Sequence, residues 1–257
     1  MLNKKLLPAA VTAAMLAGTS LAQAQDEPAI VTGDEFVEGF QISGNVALTT
    51  DYRFRGISQS DESAAVQGGF DIEFGPGFYI GTWGSSVDFG GDTETGSFGT
   101  LELDYYAGWA SSIGDTDFGV DVGILYYDYP GDTVDPEGDY LEFYVGGSWK
   151  DLSLYVHYSD DYYAETDEFW YVAADYSFGL LENLSVDLHV GVNFLEEDGG
   201  FLSSDEDQYT DYSVGVTYSW ASVDFSLAWV GTDLDDDDYF GTDLADDTAV
   251  FTVSKSM

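Results

Sequence analysis

The feature that most constrains this chain is an alternation of apolar and polar residues with a period of two. In residues 41–55, for example, Ile42 and Leu48 occupy even positions, whereas Ser43 and Asp51 occupy odd ones. Residues two apart share one face of a strand, so each such segment predicts a strand with one apolar face. The same pattern recurs in residues 66–74, 78–89, 101–109, 118–126, 141–149, 152–158, 170–178, 184–194, 212–218, 223–229 and 249–253. The sequence therefore predicts an all-β fold of about twelve strands.

The connections between these segments alternate in length. The short ones are residues 75–77, 111–116, 150–151, 179–183 and 219–222, and the long ones are residues 56–63, 90–99, 130–139, 160–167, 195–208 and 232–247. Short periplasmic turns and longer external loops are typical of an outer-membrane barrel. A soluble sandwich with Greek-key crossings has no reason to keep that order. We therefore expect residues 40–257 to form a transmembrane antiparallel up-and-down β-barrel.

Charged residues within the predicted strands fall on the polar phase. They are Asp51, Arg53, Arg55, Asp71, Glu73, Asp88, Glu102, Asp104, Asp121, Glu142, Asp175, Asp187, Asp211 and Asp224, and the exception on the apolar phase is Lys255 at the end of the last strand. A cation on the lipid face costs about 2–4 kcal/mol at the bilayer midplane. The apolar phase is therefore predicted to face lipid and the carboxylates to face the interior.

Aromatic residues on the outward phase form two levels, as expected for rings at headgroup depth. One level holds Phe74, Tyr79, Trp109, Phe118, Trp149, Phe178 and Tyr218, and the other holds Tyr52, Phe54, Phe89, Tyr126, Tyr158, Trp170, Phe194, Tyr212 and Trp229.

The N-terminus has the three regions of a signal peptide. Lys4 and Lys5 precede an apolar run over residues 6–17, and Ala22-Gln23-Ala24 supplies a small-x-small cleavage site. A membrane-spanning anchor needs about 20 apolar residues, which fits this segment less well. We expect cleavage of residues 1–24, a short acidic periplasmic tail at residues 25–39, and a location in the bacterial outer membrane.

Charge and composition exclude several functional classes. The chain has 49 acidic residues against six Lys plus Arg, which gives a net charge of −43 and argues against nucleic-acid binding. It has no cysteine, which excludes thiol catalysis and Cys-based metal sites. We expect no cofactor.

An acidic interior favours cations over anions. The sequence therefore predicts a porin-like channel for passive diffusion of small solutes, either cation-preferring or passing neutral solutes. The candidate lumen and selectivity residues are Asp51, Arg53, Arg55, Asp71, Glu73, Glu102, Asp104, Asp121, Glu142, Asp187, Asp211 and Asp224. Arg53 and Arg55 are expected on one strand near the outer mouth, where they either pair with Asp51, Asp71 or Glu73 across the wall or bind solute. Five inward-phase tyrosines could fill much of so small a barrel, which leaves the open diameter undecided: Tyr106, Tyr127, Tyr144, Tyr155 and Tyr171. The oligomeric state is also undecided.

The long loops are rich in carboxylates. Asp233, Asp235 and Asp237 open like a calcium loop, but the sixth position is Asp238 rather than Gly and the twelfth is Leu244 rather than Glu. These three are weak metal candidates, and a solvated, self-repelling loop is the favoured interpretation. A second hypothesis for these loops is that divalent ions bridge their carboxylates to the phosphates of lipopolysaccharide.

Two other functional classes compete with a channel. An outer-membrane hydrolase would need a nucleophile and a base, but His157 and His189 both lie on the inward phase and no catalytic motif accompanies them. A surface adhesin or structural barrel is the second alternative, although loops of about ten residues offer little protruding surface. We expect a protein that is not an enzyme.

Three stretches carry a resemblance to a known family. They are Leu48-Thr49-Thr50-Asp51-Tyr52-Arg53-Phe54-Arg55-Gly56-Ile57-Ser58-Gln59-Ser60, Gly77-Phe78-Tyr79-Ile80-Gly81-Thr82-Trp83 and Leu101-Glu102-Leu103-Asp104-Tyr105-Tyr106-Ala107-Gly108. With them the mature chain resembles the TorF-type porin family of proteobacterial outer-membrane proteins, and the Arg-Phe-Arg-Gly stretch is the most specific part. The resemblance implies an outer-membrane barrel with a pore function, and no established substrate or catalytic residue. For such a barrel we expect outer-membrane lipid, lipopolysaccharide and the barrel-assembly machinery as partners.

Overall fold

The computed structural model describes residues 40–90, 96–195 and 200–257. The predicted signal peptide and acidic tail lie outside the described residues. The strands are β1 Phe40–Thr49, β2 Arg53–Phe54, β3 Ile57–Ser58, β4 Ala65–Phe74, β5 Phe78–Ser86, β6 Leu101–Ser112, β7 Phe118–Asp128, β8 Tyr140–Trp149, β9 Leu152–Ser159, β10 Phe169–Leu181, β11 Leu184–Phe194, β12 Gln208–Trp220, β13 Val223–Thr232 and β14 Thr248–Ser256.

Twelve of these strands, β1 and β4–β14, form one closed antiparallel barrel. Each wall strand pairs with its neighbour in the chain, and β1 closes the barrel against β14 with Leu48 opposite Val253. The predicted twelve-stranded up-and-down barrel is confirmed. We call the end with the short connections the turn end and the opposite end the loop end.

The outer face of the wall carries a belt of exposed apolar side chains. Leu48, Val66, Phe143, Val172 and Val214 are among its members. An exposed apolar surface of this extent on a closed barrel supports a position in an outer membrane. Within the described ranges, no helix is long and apolar enough to cross a bilayer.

Tyrosine rings on the inner face lie over glycines of the neighbouring strand. A Cβ added at Gly146 would lie 1.9 Å from Cε1 of Tyr155, and one at Gly123 would lie 2.2 Å from the hydroxyl oxygen of Tyr144. Because the glycines have no side chain, the rings can lie flat against the wall. The five tyrosines that the sequence places on the inward phase are all buried.

Some sequence predictions of side-chain direction are wrong. The strand predicted over residues 41–55 ends at Thr49, because the chain bends at Thr50 and turns into the barrel. Tyr52 is therefore buried inside, and Phe54 packs on interior residues; neither lies in a girdle at the lipid surface. In β5, Tyr79 faces inward and is buried, whereas Phe78 and Ile80 are exposed.

Phe89 also leaves its predicted girdle. It follows the end of β5 and packs against Tyr129, with 5.8 Å between ring centroids. It contributes to the aromatic packing at the loop end.

Candidate functional site

A hairpin inside the barrel is the centre of the candidate site. We call residues 51–60 the inner hairpin. Strands β2 and β3 pair through Phe54 opposite Ile57, which leaves a two-residue turn. Both turn residues, Arg55 at φ +48° and Gly56 at φ +85°, have the positive φ that type I′ hairpin turns require. A Cβ at Gly56 would also lie 2.4 Å from Cγ2 of Thr232, so the hairpin tip fits closely against the wall.

Asp51 holds the base of the inner hairpin together. Its Oδ1 accepts hydrogen bonds from the hydroxyls of Ser58 at 2.7 Å and Ser60 at 3.0 Å. Its Oδ2 accepts from Nε of Arg53. One buried carboxylate thus connects the two arms and favours the reversal of the chain over continuation of β1.

Arg53 joins the inner hairpin to the last long loop. Its side chain is fully buried, and Nη1 donates to the backbone carbonyls of Leu244 at 2.8 Å and Asp246 at 2.9 Å. Its Nη2 donates to Oε1 of Glu62 at 3.1 Å. The guanidinium therefore acts as a structural clamp at the loop end.

Arg55 reaches across the interior to the opposite wall. Its Nη2 lies 2.7 Å from Oε1 and 2.9 Å from Oε2 of Glu142 on β8. The two side chains are only 4% and 0% exposed. The pair is thus almost completely shielded from solvent and strongly coupled.

Aromatic rings surround the same guanidinium. The Cζ atom of Arg55 lies 4.7 Å from the ring centroid of Phe54, 4.8 Å from that of Phe169 and 4.3 Å from that of Tyr171. Nη1 also donates to the hydroxyl of Tyr162 at 3.2 Å. Burial raises the pKa of this loop tyrosine to about 12, so its hydroxyl is neutral at ordinary pH.

Two further contacts fix the inner hairpin to the wall. The hydroxyl of Tyr52 donates to Oε1 of Glu102 at 2.7 Å. Ile57 is buried in a cluster with Leu202, Tyr209 and Leu234. Together with the two arginines, these contacts fill the loop half of the interior with hairpin and tyrosine side chains.

The carboxylates below the inner hairpin are mostly hydrogen-bonded. Asp121 accepts from the hydroxyl of Tyr79 at 2.7 Å, and Asp71 accepts from that of Tyr106. Asp187 accepts from the hydroxyl of Thr217 at 2.9 Å. These bonds hold the acids in place on the inner wall.

The two histidines belong to the same interior network. His189 bridges two carboxylates, with Nδ1 2.7 Å from Asp175 and Nε2 2.8 Å from Asp211. Nδ1 of His157 lies 3.1 Å from Oε2 of Glu142. Both imidazoles contact carboxylates and tyrosines, as in a polar interior network.

Asp104 differs from its neighbours. It is 0% exposed, and among the described residues neither carboxylate oxygen has a hydrogen-bond partner. Glu102 lies two positions earlier on β6 and is also buried. An unpaired carboxylate in such a position is energetically costly.

Polar interior residues at the turn end are less enclosed. Half-buried members are Ser43, Asn45, Glu73, Ser153, Asp175, Asp224 and Ser226. Asp224 accepts a hydrogen bond from Ser219 at 2.6 Å. These interior side chains are therefore more accessible to solvent than the fully buried ones around the inner hairpin.

The predicted positions of the arginines need correction. Arg53 and Arg55 do not lie on a wall strand near the outer mouth, because they belong to the inner hairpin. Arg53 does pair with Asp51, but within the inner hairpin rather than across the wall. The partner of Arg55 is Glu142, which is not among the partners expected from the sequence.

The aromatic contribution of Tyr162 and Phe169 was also missed. A usable signal for the inner hairpin was Gly56 between apolar residues, because glycine readily adopts the positive φ that a two-residue hairpin turn requires.

The acidic loop residues make local hydrogen bonds. Asp233 accepts one from the backbone N–H of Thr210 at 2.6 Å, and Asp235 precedes a 3₁₀ turn over Asp236–Asp238. In the part of the chain that the structure describes, no three His, Cys, Asp or Glu side chains form a group that could hold a metal ion.

Comparison with known proteins places the chain in a family. Residues 34–257 match the sequence profile described as "Bacterial protein of unknown function (Gcw_chp)". The chain belongs to this family. No curated protein sequence matches significantly.

Solved structures share the fold at low sequence identity. The KdgM porin matches with a TM-score of 0.51 and 9% identity, over 83% of this chain and 97% of that one. The NanC porin matches with a TM-score of 0.50 and 11% identity, over 83% and 98%. At these identities the Gcw_chp chain shares an architecture with the two porins, and its interior side chains must be interpreted on their own.

Proposed function

We propose that this protein is an outer-membrane channel for small solutes, closed at its loop end by the inner hairpin. The observation that carries the proposal is a polar, carboxylate-lined interior enclosed by a wall with an apolar outer belt. A barrel needed only as a surface scaffold has no use for an interior lined with charges. The KdgM and NanC structures, both described as porins, support the same interpretation.

Conduction requires the inner hairpin to move. Contacts of Arg53, Arg55 and Tyr52 and the burial of Ile57 hold it in the loop half of the interior. Displacement of ten residues leaves the wall intact, because β1 and β4 remain paired from Phe40 opposite Phe74 to Thr49 opposite Ala65. The hairpin is thus a movable element on a rigid frame.

The open channel is proposed to prefer cations. Interior carboxylates outnumber the interior arginines, and rings of carboxylates repel anions. The KdgM porin has also been described in complex with disordered oligogalacturonate, a polyanion. Asp71, Asp121 and Asp187 would oppose the passage of such a solute through this barrel.

The proposed channel is exported through a cleaved signal peptide, inserted by the barrel-assembly machinery and in contact with lipopolysaccharide. These features are those expected for the TorF-type porin family that the sequence resembles. The adhesin and hydrolase alternatives predict a barrel that carries no selective current.

The test is a planar-bilayer recording of the refolded protein in a salt gradient. Wild type is compared with a variant in which residues 52–60 are replaced by the same number of alternating glycines and serines. We expect larger currents from the variant, with a reversal potential of the sign for cations. Absence of current from both proteins, or a reversal potential of the sign for anions, would refute the proposal.

A charge-matched pair of variants separates interior from surface effects. Asp71→Asn, Asp121→Asn and Asp187→Asn together remove three interior charges, whereas Asp235→Asn, Asp237→Asn and Asp243→Asn remove three from a loop. The first set should reduce the cation preference, and the second should leave it nearly unchanged. Equal effects would contradict an interior origin of selectivity.

A further inference from the structure

The surroundings of Arg55 have the chemistry of a guanidinium-binding site. Glu142 presents both oxygens to Nη2, Tyr162 presents its hydroxyl to Nη1, and the rings of Phe169 and Tyr171 lie within 5 Å of Cζ. A planar cation with a fork of N–H donors satisfies all of these groups at once. We call Glu142, Tyr162, Phe169 and Tyr171 the cage.

The cage belongs to the barrel rather than to the inner hairpin. Glu142 lies on β8, and Phe169 and Tyr171 lie on β10. The Tyr162 ring stacks on Phe169 with 3.9 Å between centroids and 13° between planes. His157 on β9 supports Glu142 from the side, with Nδ1 at 3.1 Å from Oε2. These two contacts do not involve Arg55, so they do not depend on the presence of the hairpin.

The cage selects a guanidinium over an ammonium group. A compact ammonium satisfies one carboxylate oxygen well but cannot also contact the rings and reach the hydroxyl of Tyr162 at the same time. Anions are excluded because Glu142 is a fully buried carboxylate, and its neighbour Tyr127 is a hydroxyl donor without positive charge. The bound group must therefore be both planar and positively charged.

We propose that the cage binds small solutes that carry a guanidinium group, and that Arg55 occupies it as an internal stand-in until such a solute displaces it. This inference rests on the proposed channel function and names a solute class for it. Binding of the solute and release of the inner hairpin are then one exchange, in which one guanidinium replaces another on Glu142.

The test uses the full chain with Arg55→Ala in detergent micelles and ethylguanidinium as the probe. Binding is followed by calorimetry and by the thermal unfolding temperature, and ethylammonium serves as the control cation. We expect saturable binding of ethylguanidinium that is at least about tenfold tighter than that of ethylammonium, because the fork and the ring contacts are lost with the latter. Adding Glu142→Gln to Arg55→Ala should weaken binding by at least about tenfold.

Two results would overturn the inference. One is a folded Arg55→Ala protein that shows no saturable binding of ethylguanidinium, and the other is equal binding of the two cations. If Arg55→Ala does not fold, Arg55→Gln carries the same test, since its uncharged side chain retains packing against Phe54. Binding is measured without current, so the two proposals can fail separately. Binding of ethylguanidinium to a barrel that never conducts would refute the channel alone. Conduction without binding of ethylguanidinium would refute the cage alone.

Discussion

Replacement of Glu142 by Gln tests whether one buried ion pair keeps the inner hairpin inside the barrel. The change preserves the size of the side chain and removes its charge. It leaves Arg55, which is 4% exposed, without a counter-ion in the closed state. In the open state the guanidinium is hydrated, so the substitution penalises the closed state selectively.

The magnitude follows from the burial of the pair. Removing one partner of a buried ion pair costs about 3–5 kcal/mol. At about 1.4 kcal/mol per factor of ten, the ratio of closed to open barrels should fall by roughly two to three and a half powers of ten. The clamp of Arg53 on Leu244 and Asp246 remains, so we expect frequent brief openings rather than permanent loss of the hairpin.

Trypsin provides a direct assay because cleavable residues are so few. Beyond the predicted signal peptide they are Arg53, Arg55, Lys150 and Lys255. In wild type, Arg53 and Arg55 are buried, and Lys150 lies in a turn at the opposite end. In vesicles with the loop end outside, Glu142→Gln should become cleavable after Arg55, while wild type resists. Single-channel recordings should show a matching rise in open probability.

Asp187→Asn is the matched control. Asp187 is nearly as buried as Glu142, but among the described residues it accepts hydrogen bonds from Ser177, Ser185 and Thr217 and from none in the inner hairpin. It should leave trypsin resistance and open probability unchanged. A folded Glu142→Gln barrel that resists trypsin and gates like wild type would show that the ion pair does not hold the hairpin.

Three further predictions concern stability and are measured by urea unfolding. Gly146→Ala forces a Cβ to within 1.9 Å of the Tyr155 ring and should destabilise the barrel by roughly 1–3 kcal/mol. In Gly147→Ala the nearest atom to the new Cβ is the carbonyl oxygen of Gly119 at 3.8 Å, an ordinary contact, so this control should have little effect; equal effects would refute the packing argument. Asp104→Asn removes a buried acid that has no hydrogen-bond partner among the described residues and should stabilise the barrel by about 1–3 kcal/mol; a loss of stability instead would mean that the carboxyl group has a bound partner. Burial holds the pKa of Tyr162 at about 12, above its ordinary value of 10.0, so the stability it contributes is present below about pH 10 and is lost as the pH rises through 12. Tyr162→Phe should flatten the decline over that window, and parallel declines would contradict this origin.

The barrel wall could be predicted because lipid imposes one strict rule on every strand. Charges such as Asp71 and Asp121 cannot lie on the outer face, so the phase of each strand follows from its charges. Tyr79 shows the limit of this argument. Where both phases of β5 carry aromatic residues and no charge near Tyr79 decides between them, periodicity cannot tell the lipid face from the interior.

The inner hairpin could not be predicted from the same rule. Tyr52 and Phe54 continue the alternation of β1, and an apolar phase has the same appearance whether it meets lipid or packs against interior tyrosines. The contact between Arg55 and Glu142 joins residues 87 positions apart. Such a pair depends on where the chain reverses, and the reversal depends on the hydrogen bonds of Asp51 to Ser58 and Ser60.

With both arginines withdrawn into the interior, the rim at the loop end is of a single sign. Within the described ranges it carries no exposed Lys or Arg, while Asp235 and Asp237 lie open to water. A rim of this kind gathers counter-ions from dilute surroundings over a distance of about 8 Å at physiological ionic strength. The local concentration of a cationic solute at this rim is therefore higher than in the bulk solution, and high salt concentration abolishes the difference by screening.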